Sequence, residues 1–235
     1  MHRLHENGFS GISFFRGTGS KGKCPFGRIV LEGVYYMSLS LDEKYEIIYA
    51  HEENFAYALA KRVVKKPEVS VWMILIPILF LHHAHKINQY KAGVKQFAGG
   101  ILASKKKALD KSYKEASTGE ELNYGPDDYF PDVELKTLHE RALAQKQAKV
   151  IRIMEFHYKA LFNTEGGSMT ELLRKAYGGP GEYRHYFNRL AEAEKALNQY
   201  LVENVHTNGE SVTVVKQIEK CCQELREEEL KAFFK

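Results

Sequence analysis

The chain has 235 residues, of which 44% are hydrophobic and 27% are charged, and its formal net charge at pH 7 is +4. This length is enough to bury a hydrophobic core, the composition is that of a globular protein, and the charge excludes a polycation. The three cysteines, Cys24, Cys221 and Cys222, give no disulfide framework, and no signal peptide is recognised. These features predict a cytoplasmic, reducing location without export.

Residues 1–36 are rich in glycine and show no helical periodicity. We interpret them as a loose N-terminal arm, or as residues that precede a true start at Met37. Residues 17–24, "GTGSKGKC", match the glycine and lysine positions of a phosphate-binding loop. Cys24, however, stands where a serine or threonine would bind magnesium, so no nucleotide site is predicted.

The first periodic segment predicts a helix over 41–64. Ser40 and Glu43 have the spacing of a capping box, which marks a helix start. The apolar residues of this helix recur at helical spacing and are expected to face a core: Tyr45, Ile48, Phe55, Leu59 and Val63.

A strongly apolar stretch follows at 69–81, and it carries no charge. As a helix it would be about 20 Å long, which is short for a bilayer core of about 30 Å. Pro77 lies near its middle and predicts a kink. Because the stretch is apolar on all sides, it needs cover on every side if it is soluble.

Basic residues flank this stretch on both sides. Arg62, Lys65 and Lys66 precede it, and between Ala84 and Lys114 there are eight lysines against one acid. Because basic flanks stay on the cytoplasmic side, a kinked segment that enters and leaves one membrane face fits better than a straight span. Trp72, near the start of the stretch, is typical of a membrane interface.

This interpretation predicts two sets of membrane-binding residues within a helical region over 37–116. The residues expected to insert are Val71, Trp72, Ile74, Leu75, Pro77, Leu79 and Phe80. The residues expected to bind anionic headgroups are Lys86, Lys91, Lys95, Lys105, Lys106 and Lys107.

Two soluble alternatives stay open for the apolar stretch. A soluble helical bundle could bury 69–81 in its core or in a dimer interface, since apolar runs of this length are more often core than membrane. Its β-branched residues would also suit a buried strand, but no partner strands are visible in the sequence.

The histidines after the stretch raise a further alternative, a metal-dependent helical enzyme. His82 and His85 share a helix face and are the first ligands to consider. Two ligands on one helix are too few for a site, so no metal and no cofactor are predicted. Since no catalytic arrangement can be recognised either, the sequence argues against an enzyme.

The lysine-rich segment also raises the question of nucleic acid binding. No arginine lies between Lys86 and Lys114, and only Tyr90, Phe97 and Tyr113 could stack on bases. This is a poor base-reading surface, so nucleic acid is not an expected partner.

Residues 117–131 hold glycines and prolines and are interpreted as a linker to a helical domain over 132–235. Asp132 is expected to cap a helix that reaches Phe162, and Ser168 with Glu171 predicts a short helix that ends at "YGGPG". Two further helices are predicted at 181–205 and 211–234. The apolar stripes of this domain are expected to face inward: Leu135, Leu138, Ala142, Leu143, Val150, Met154, His157 and Leu161, then Tyr183, Phe187, Leu190, Leu197 and Leu201, and finally Val212, Val215, Ile218, Cys222 and Leu225.

The sequence therefore predicts an all-α helical bundle with one short, strongly apolar, proline-kinked segment. The expected protein lies on the cytoplasmic face of a membrane and has an adaptor or structural role. Its expected partners are an anionic membrane surface and either a helical protein or a second copy of the chain.

Overall fold

The computed structural model describes residues 38–65, 77–131, 134–204 and 209–235, and for 77–87 and 209–211 it describes the backbone alone. The described chain forms six α-helices and one turn of 3₁₀ helix. They are α1 (Leu41–Val63), α2 (Pro77–Thr118), the 3₁₀ turn (Asp127–Tyr129), α3 (Leu138–Phe162), α4 (Met169–Tyr177), α5 (Pro180–Asn204) and α6 (Gly209–Phe233). No strand occurs in these ranges.

The all-α class and the helical bundle are thus confirmed. Helix α2 begins at Pro77, and residues 66–76 lie outside the described residues, so the kink at Pro77 stays a prediction. The N-terminal arm predicted over 1–36 also lies outside them.

Local capping explains where the helices begin. Ser40 caps α1: its hydroxyl accepts a hydrogen bond from the Glu43 N–H at 3.2 Å, and its own N–H donates to Glu43 Oε2 at 2.8 Å. Ser168 caps α4 through its hydroxyl, which accepts from the Glu171 N–H at 3.3 Å, but the Glu171 carboxylate accepts from the Gly167 N–H, so the capping box is not completed. Both starts follow the sequence prediction.

The start of α3 differs from the prediction that Asp132 caps this helix. Thr137 is the N-cap, with Glu140 completing a capping box, and α3 begins at Leu138. The reason is that the Thr137 hydroxyl accepts from the Glu140 N–H while the Glu140 carboxylate accepts from the Thr137 N–H. Both N–H groups at the start of the helix thus gain a partner.

Helices α1 and α2 pack antiparallel in a constant register. Tyr113 contacts Asp42 near the start of α1, and Lys105 contacts Glu52 near its middle. At the other end, a Cβ built on Gly93 would lie 3.6 Å from Val64 Cγ1. Small residues on both helices allow this close approach, and they are all buried: Ala56, Ala60, Val94 and Ala98.

The main core lies where α1, α2, α3, α4 and α5 meet. Its largest fully buried side chains include Ile48, Leu109, Ile151, Tyr158, Leu161, Leu172, Leu173, Tyr183 and Leu190. A third cluster joins Leu59 of α1 to Cys221, Cys222 and Leu225 of α6. The segment 117–131 also contributes to the main core, since Tyr129 is 3% exposed and packs among the residues of that core. Tyr36–Lys235 form one compact unit.

Some residues of the predicted stripes lie outside the core. Leu138 is 87% exposed, whereas Val150, Met154, His157 and Leu161 are buried. The reason is that the buried face of α3 starts only at Ala144, beyond the first turns of the helix. In α5 and α6 five residues of the predicted stripes are half-buried, namely Leu197, Leu201, Val212, Val215 and Ile218, and the fully buried positions lie further from 205–208 along each helix.

Candidate functional site

The residues predicted to insert into a membrane fall largely outside the described residues. Val71, Trp72, Ile74 and Leu75 lie outside them, and Pro77, Leu79 and Phe80 have a described backbone in the first turn of α2. Among the described residues, no helix combines the length and the apolar character needed to cross a bilayer.

The register of α1 and α2 places the end of α1 beside the middle of α2. Val64 lies beside Gly93, and residues 66–76, which lie outside the described residues, connect the end of α1 to the start of α2 at Pro77. Helix α2 continues past this point from residue 92 back to Pro77, over about 24 Å. We call residues 65–92 the tip segment; 69–81 occupy its middle.

Four exposed lysines surround the base of the tip segment, and we call them the lysine collar. They are Lys61 and Lys65 at the end of α1, and Lys91 and Lys95 on α2. None of the four has a carboxylate within 4.0 Å among the described residues. Their neighbour Arg62 differs, because its Nη2 lies 2.7 Å from Glu228 Oε2.

The other predicted headgroup ligands have different surroundings. Lys105 Nζ lies 2.5 Å from Glu52 Oε2, and Lys107 Nζ donates to the Tyr129 carbonyl at 2.5 Å. Lys106 is exposed and pairs with Asp110 at 2.6 Å. These three ammonium groups are already paired within the bundle, and the Lys86 side chain lies outside the described residues.

A buried polar network lies where α1, α2, α3, α5 and α6 meet. Glu52 is at its centre: Oε2 accepts from Lys105, and Oε1 accepts from the Tyr158 hydroxyl at 2.8 Å. Burial alone would raise the pKa of Glu52, but the charge and hydrogen bond of Lys105 together with the charge of His51 outweigh burial and lower the pKa to about 2. Glu52 is therefore an anion at any physiological pH.

Two histidines extend this network, and their pKa values are shifted in opposite directions. His51 Nε2 lies 3.0 Å from Glu229 Oε1, which also accepts a hydrogen bond from the Tyr183 hydroxyl. Burial alone would lower the pKa of His51, but the hydrogen bond and charge of Glu229 raise it above its ordinary value. His157 Nδ1 lies 2.6 Å from the Tyr177 hydroxyl, and burial lowers the pKa of this imidazole to about 4. His157 is thus neutral at neutral pH.

The network is closed to substrates. The cavity that it surrounds measures about 10 Å³, which at most holds one water molecule. With Tyr177 of α4, which contacts His157, the network joins all six helices of the described chain, and it offers no room for a reacting molecule.

A second buried pair lies nearer the end of α2. Lys111 Nζ donates to Glu155 Oε2 at 2.7 Å, and the Tyr129 hydroxyl donates to Glu155 Oε1 at 2.7 Å. This pair joins α2, α3 and the segment that contains the 3₁₀ turn. Like Lys105, Lys111 belongs to the basic segment but lies inside the bundle.

A groove of about 510 Å³ runs between α5 and α6. Buried side chains form its floor, among them Phe187, Cys222, Arg226 and Leu230. Burial raises the pKa of the Cys222 thiol to about 11, so this cysteine is a poor nucleophile.

The weak metal candidates His82 and His85 have side chains outside the described residues. Within the part of the chain whose side chains are described, no group of three or more histidines, cysteines or carboxylates is placed to hold a metal ion.

Sequence reasoning missed the buried network and the lysine collar as a group. Glu52 gave one signal, since it lies four residues after Ile48 and seven before Leu59 on the apolar face of α1. Comparison of the chain with models of protein families, with curated proteins and with solved structures found no match.

Proposed function

We propose that the protein is a membrane-associated helical protein with an adaptor or structural role, which inserts residues 69–85 shallowly from the cytoplasmic face. The observation that carries this proposal is the adjacency of Val64 and Gly93 at the base of the tip segment. The end of α1 and the turn of α2 around Gly93 lie side by side, and the most apolar residues of the chain lie between them in the sequence.

This adjacency argues against a single crossing. A single span would separate its two ends by the bilayer core, about 30 Å. Ends that lie side by side suit a segment that enters one leaflet and returns. Such a segment needs fewer apolar residues than a span, which agrees with the short length of 69–81.

The lysine collar supplies the electrostatic part of the argument. Lys61, Lys65, Lys91 and Lys95 lie at the level where a headgroup layer would meet the inserted segment. Each lysine near an anionic leaflet contributes roughly 1 kcal/mol to binding. These lysines lie at the base of the tip segment on both α1 and α2. Because basic residues stay on the cytoplasmic side, their position favours insertion from the cytoplasmic face.

The remainder of the bundle suits an interaction role rather than catalysis. The buried network around Glu52 has space for at most one water molecule, and its charges are satisfied by one another. We therefore assign α3–α6 to binding a helical protein partner or a second copy of the chain.

Vesicle flotation of the full chain tests the proposal. We expect the protein to float with phosphatidylcholine vesicles that contain phosphatidylserine, and to float less when phosphatidylserine is omitted or salt is raised. A fraction that stays with the vesicles at alkaline pH demonstrates insertion. A chain that stays at the bottom of the gradient under all conditions contradicts the proposal.

A matched pair of variants separates insertion from burial in a soluble core. Leu75→Arg with Leu79→Arg is expected to abolish flotation while the far-ultraviolet circular dichroism spectrum keeps its helical signal. The control, Leu138→Arg with Phe156→Arg, changes two exposed apolar residues on α3 and should float normally. If the first variant instead loses its cooperative unfolding, 69–81 belongs to a soluble core.

A further inference from the structure

We propose that the groove between α5 and α6 binds a single-chain anionic amphiphile, an apolar tail that carries a carboxylate or phosphate head. This site is separate from the tip segment, and the inference does not depend on membrane insertion. Its volume of about 510 Å³ lies within the range of small-molecule pockets.

Three buried apolar side chains line the floor of the groove and reach the core, and the buried Arg226 lies among them, paired with Glu194. Phe187, Cys222 and Leu230 line it and are each less than 10% exposed. The lining residues of each helix recur three or four positions apart, so the groove follows the two helix axes. An elongated apolar chain fits this shape better than a compact polar ligand.

The carboxylates of the groove are already paired across the two helices. Glu194 accepts from Arg226 Nη2 at 2.8 Å, and Glu227 accepts from Arg184 Nη1 at 2.5 Å. Glu219 accepts from the Asn198 side-chain amide at 3.1 Å. The two ion pairs neutralise both arginines, whereas Glu219 keeps its charge beside a neutral amide. The groove lining then carries three lysines against this one carboxylate.

Those lysines gather at one end. Lys195 near the end of α5 and Lys216 near the start of α6 are exposed and have no carboxylate within 4.0 Å among the described residues. Lys220 lies beside them, with Glu224 at 3.9 Å. Phe187 and Leu230 lie toward the other end of their helices. A molecule with one anionic end and one apolar end matches this polarity.

Photo-crosslinking of the full chain tests the site. The probe is dodecanoic acid with a diazirine in its tail, and labelled peptides are identified by mass spectrometry. We expect labels within 184–195 and 216–230, and competition by unlabelled dodecanoate but not by dodecanol. Dodecyl phosphate serves as a parallel competitor, and whichever head competes better identifies the natural chemistry.

Charge reversal at the rim provides the decisive comparison. Lys195→Glu with Lys216→Glu is expected to weaken competition by dodecanoate at least tenfold, because it replaces two attractive charges by two repulsive ones. Lys149→Glu with Lys175→Glu, two exposed lysines on α3 and α4, should leave it unchanged. Circular dichroism confirms that both variants remain helical.

The inference is overturned if labelling of the groove is equal in the Lys195→Glu with Lys216→Glu variant and in the Lys149→Glu with Lys175→Glu variant. It is also overturned if dodecanol competes as well as dodecanoate does, or if labelling is confined to 69–85. If any of these results is found while the chain floats normally with vesicles, the groove site is rejected and membrane insertion is not. If the chain fails to float while the groove is labelled as expected, membrane insertion is rejected and the groove site is not.

Discussion

Lys105 and Glu52 form an ion pair inside the bundle, with 2.5 Å between Nζ and Oε2 and side chains that are 12% and 7% exposed. The pair joins α2 to α1, and Tyr158 adds α3 through the second carboxylate oxygen. Because two buried charges lose their hydration, pairing mainly compensates for that loss. A change of either residue alone therefore leaves the charge of the other buried without a partner, which destabilises the fold.

Replacement of Lys105 by methionine is therefore expected to lower the free energy of unfolding by about 3–5 kcal/mol, since it leaves Glu52 buried and unpaired. Urea unfolding followed by circular dichroism measures the change. Lys91→Met, on the exposed face of the same helix, should shift stability by no more than about 0.5 kcal/mol. Similar losses in both variants would show that Lys105 is not a buried partner of Glu52.

The double variant Glu52→Gln with Lys105→Met sharpens this prediction. It removes both charges and should be more stable than Lys105→Met, because no unpaired carboxylate is left behind. Additive losses from the two single changes would contradict the pairing.

The buried His157 is expected to make the protein less stable as pH falls from 6.5 toward 4. Its pKa is about 4 in the folded chain, because burial disfavours the imidazolium, and 6.5 when exposed. Between these values the unfolded chain binds a proton that the folded chain does not, so acid favours unfolding, by about 3 kcal/mol at most. Urea unfolding at pH 7 and pH 5 measures the loss.

His157→Gln provides the control for this pH effect, because glutamine can keep a hydrogen bond to Tyr177 but cannot titrate. Its stability should fall less than that of the unmodified chain over the same interval. Glu52, with a pKa of about 2, loses its contribution only below about pH 4.5. His51, with a raised pKa, contributes stability that is present at low pH and lost as pH rises through its folded value. An unchanged slope in His157→Gln would assign the pH dependence to other groups.

Gly178 ends α4 with φ of +68°, a left-handed conformation that costs L-residues about 1–2 kcal/mol. We expect Gly178→Ala to lower the melting temperature. Gly181→Ala is a matched control, because an added Cβ meets nothing within 4 Å at either position and only Gly178 has positive φ. Equal melting temperatures for the two variants would contradict a strained backbone at Gly178.

The lysine collar predicts a salt-sensitive contribution to vesicle binding. Lys91→Glu with Lys95→Glu should weaken flotation with vesicles that contain phosphatidylserine and leave the unfolding curve unchanged, since both side chains are exposed. Lys106→Glu changes a lysine that already pairs with Asp110, so a smaller effect on flotation is expected. Lys91→Glu alone makes the same change in net charge as Lys106→Glu, and an equal effect of these two single changes would mean that total charge matters and the collar does not.

The fold was predictable where its signals are local. Ser40 and Ser168 marked two helix starts, because a capping box needs only four consecutive residues. Thr137 and Glu140 carried the same signal but were overlooked in favour of Asp132. The stripe of Tyr183, Phe187 and Leu190 was correct because helical spacing alone brings these residues to one face.

The buried network around Glu52 could not be predicted from the sequence, for a different reason. Lys105 meets Glu52 across 53 positions of the sequence, and no local pattern distinguishes it from the exposed Lys106 next to it. Counting the lysines as one charged segment concealed that Lys105 and Lys111 point into the bundle. Their direction follows from tertiary packing, which a single sequence does not contain.

Helix α2 is unbroken from Pro77 to Thr118, which corresponds to about 63 Å at 1.5 Å per residue. Its later turns are fastened to α1 and α3 by ion pairs at Lys105 and Lys111. The helix therefore links its first turn to the core without a break, and the adjacent Gly99 and Gly100 lie between that turn and the ion pairs. A tilt applied at the first turn reaches the interior through these two glycines, which are weak helix formers.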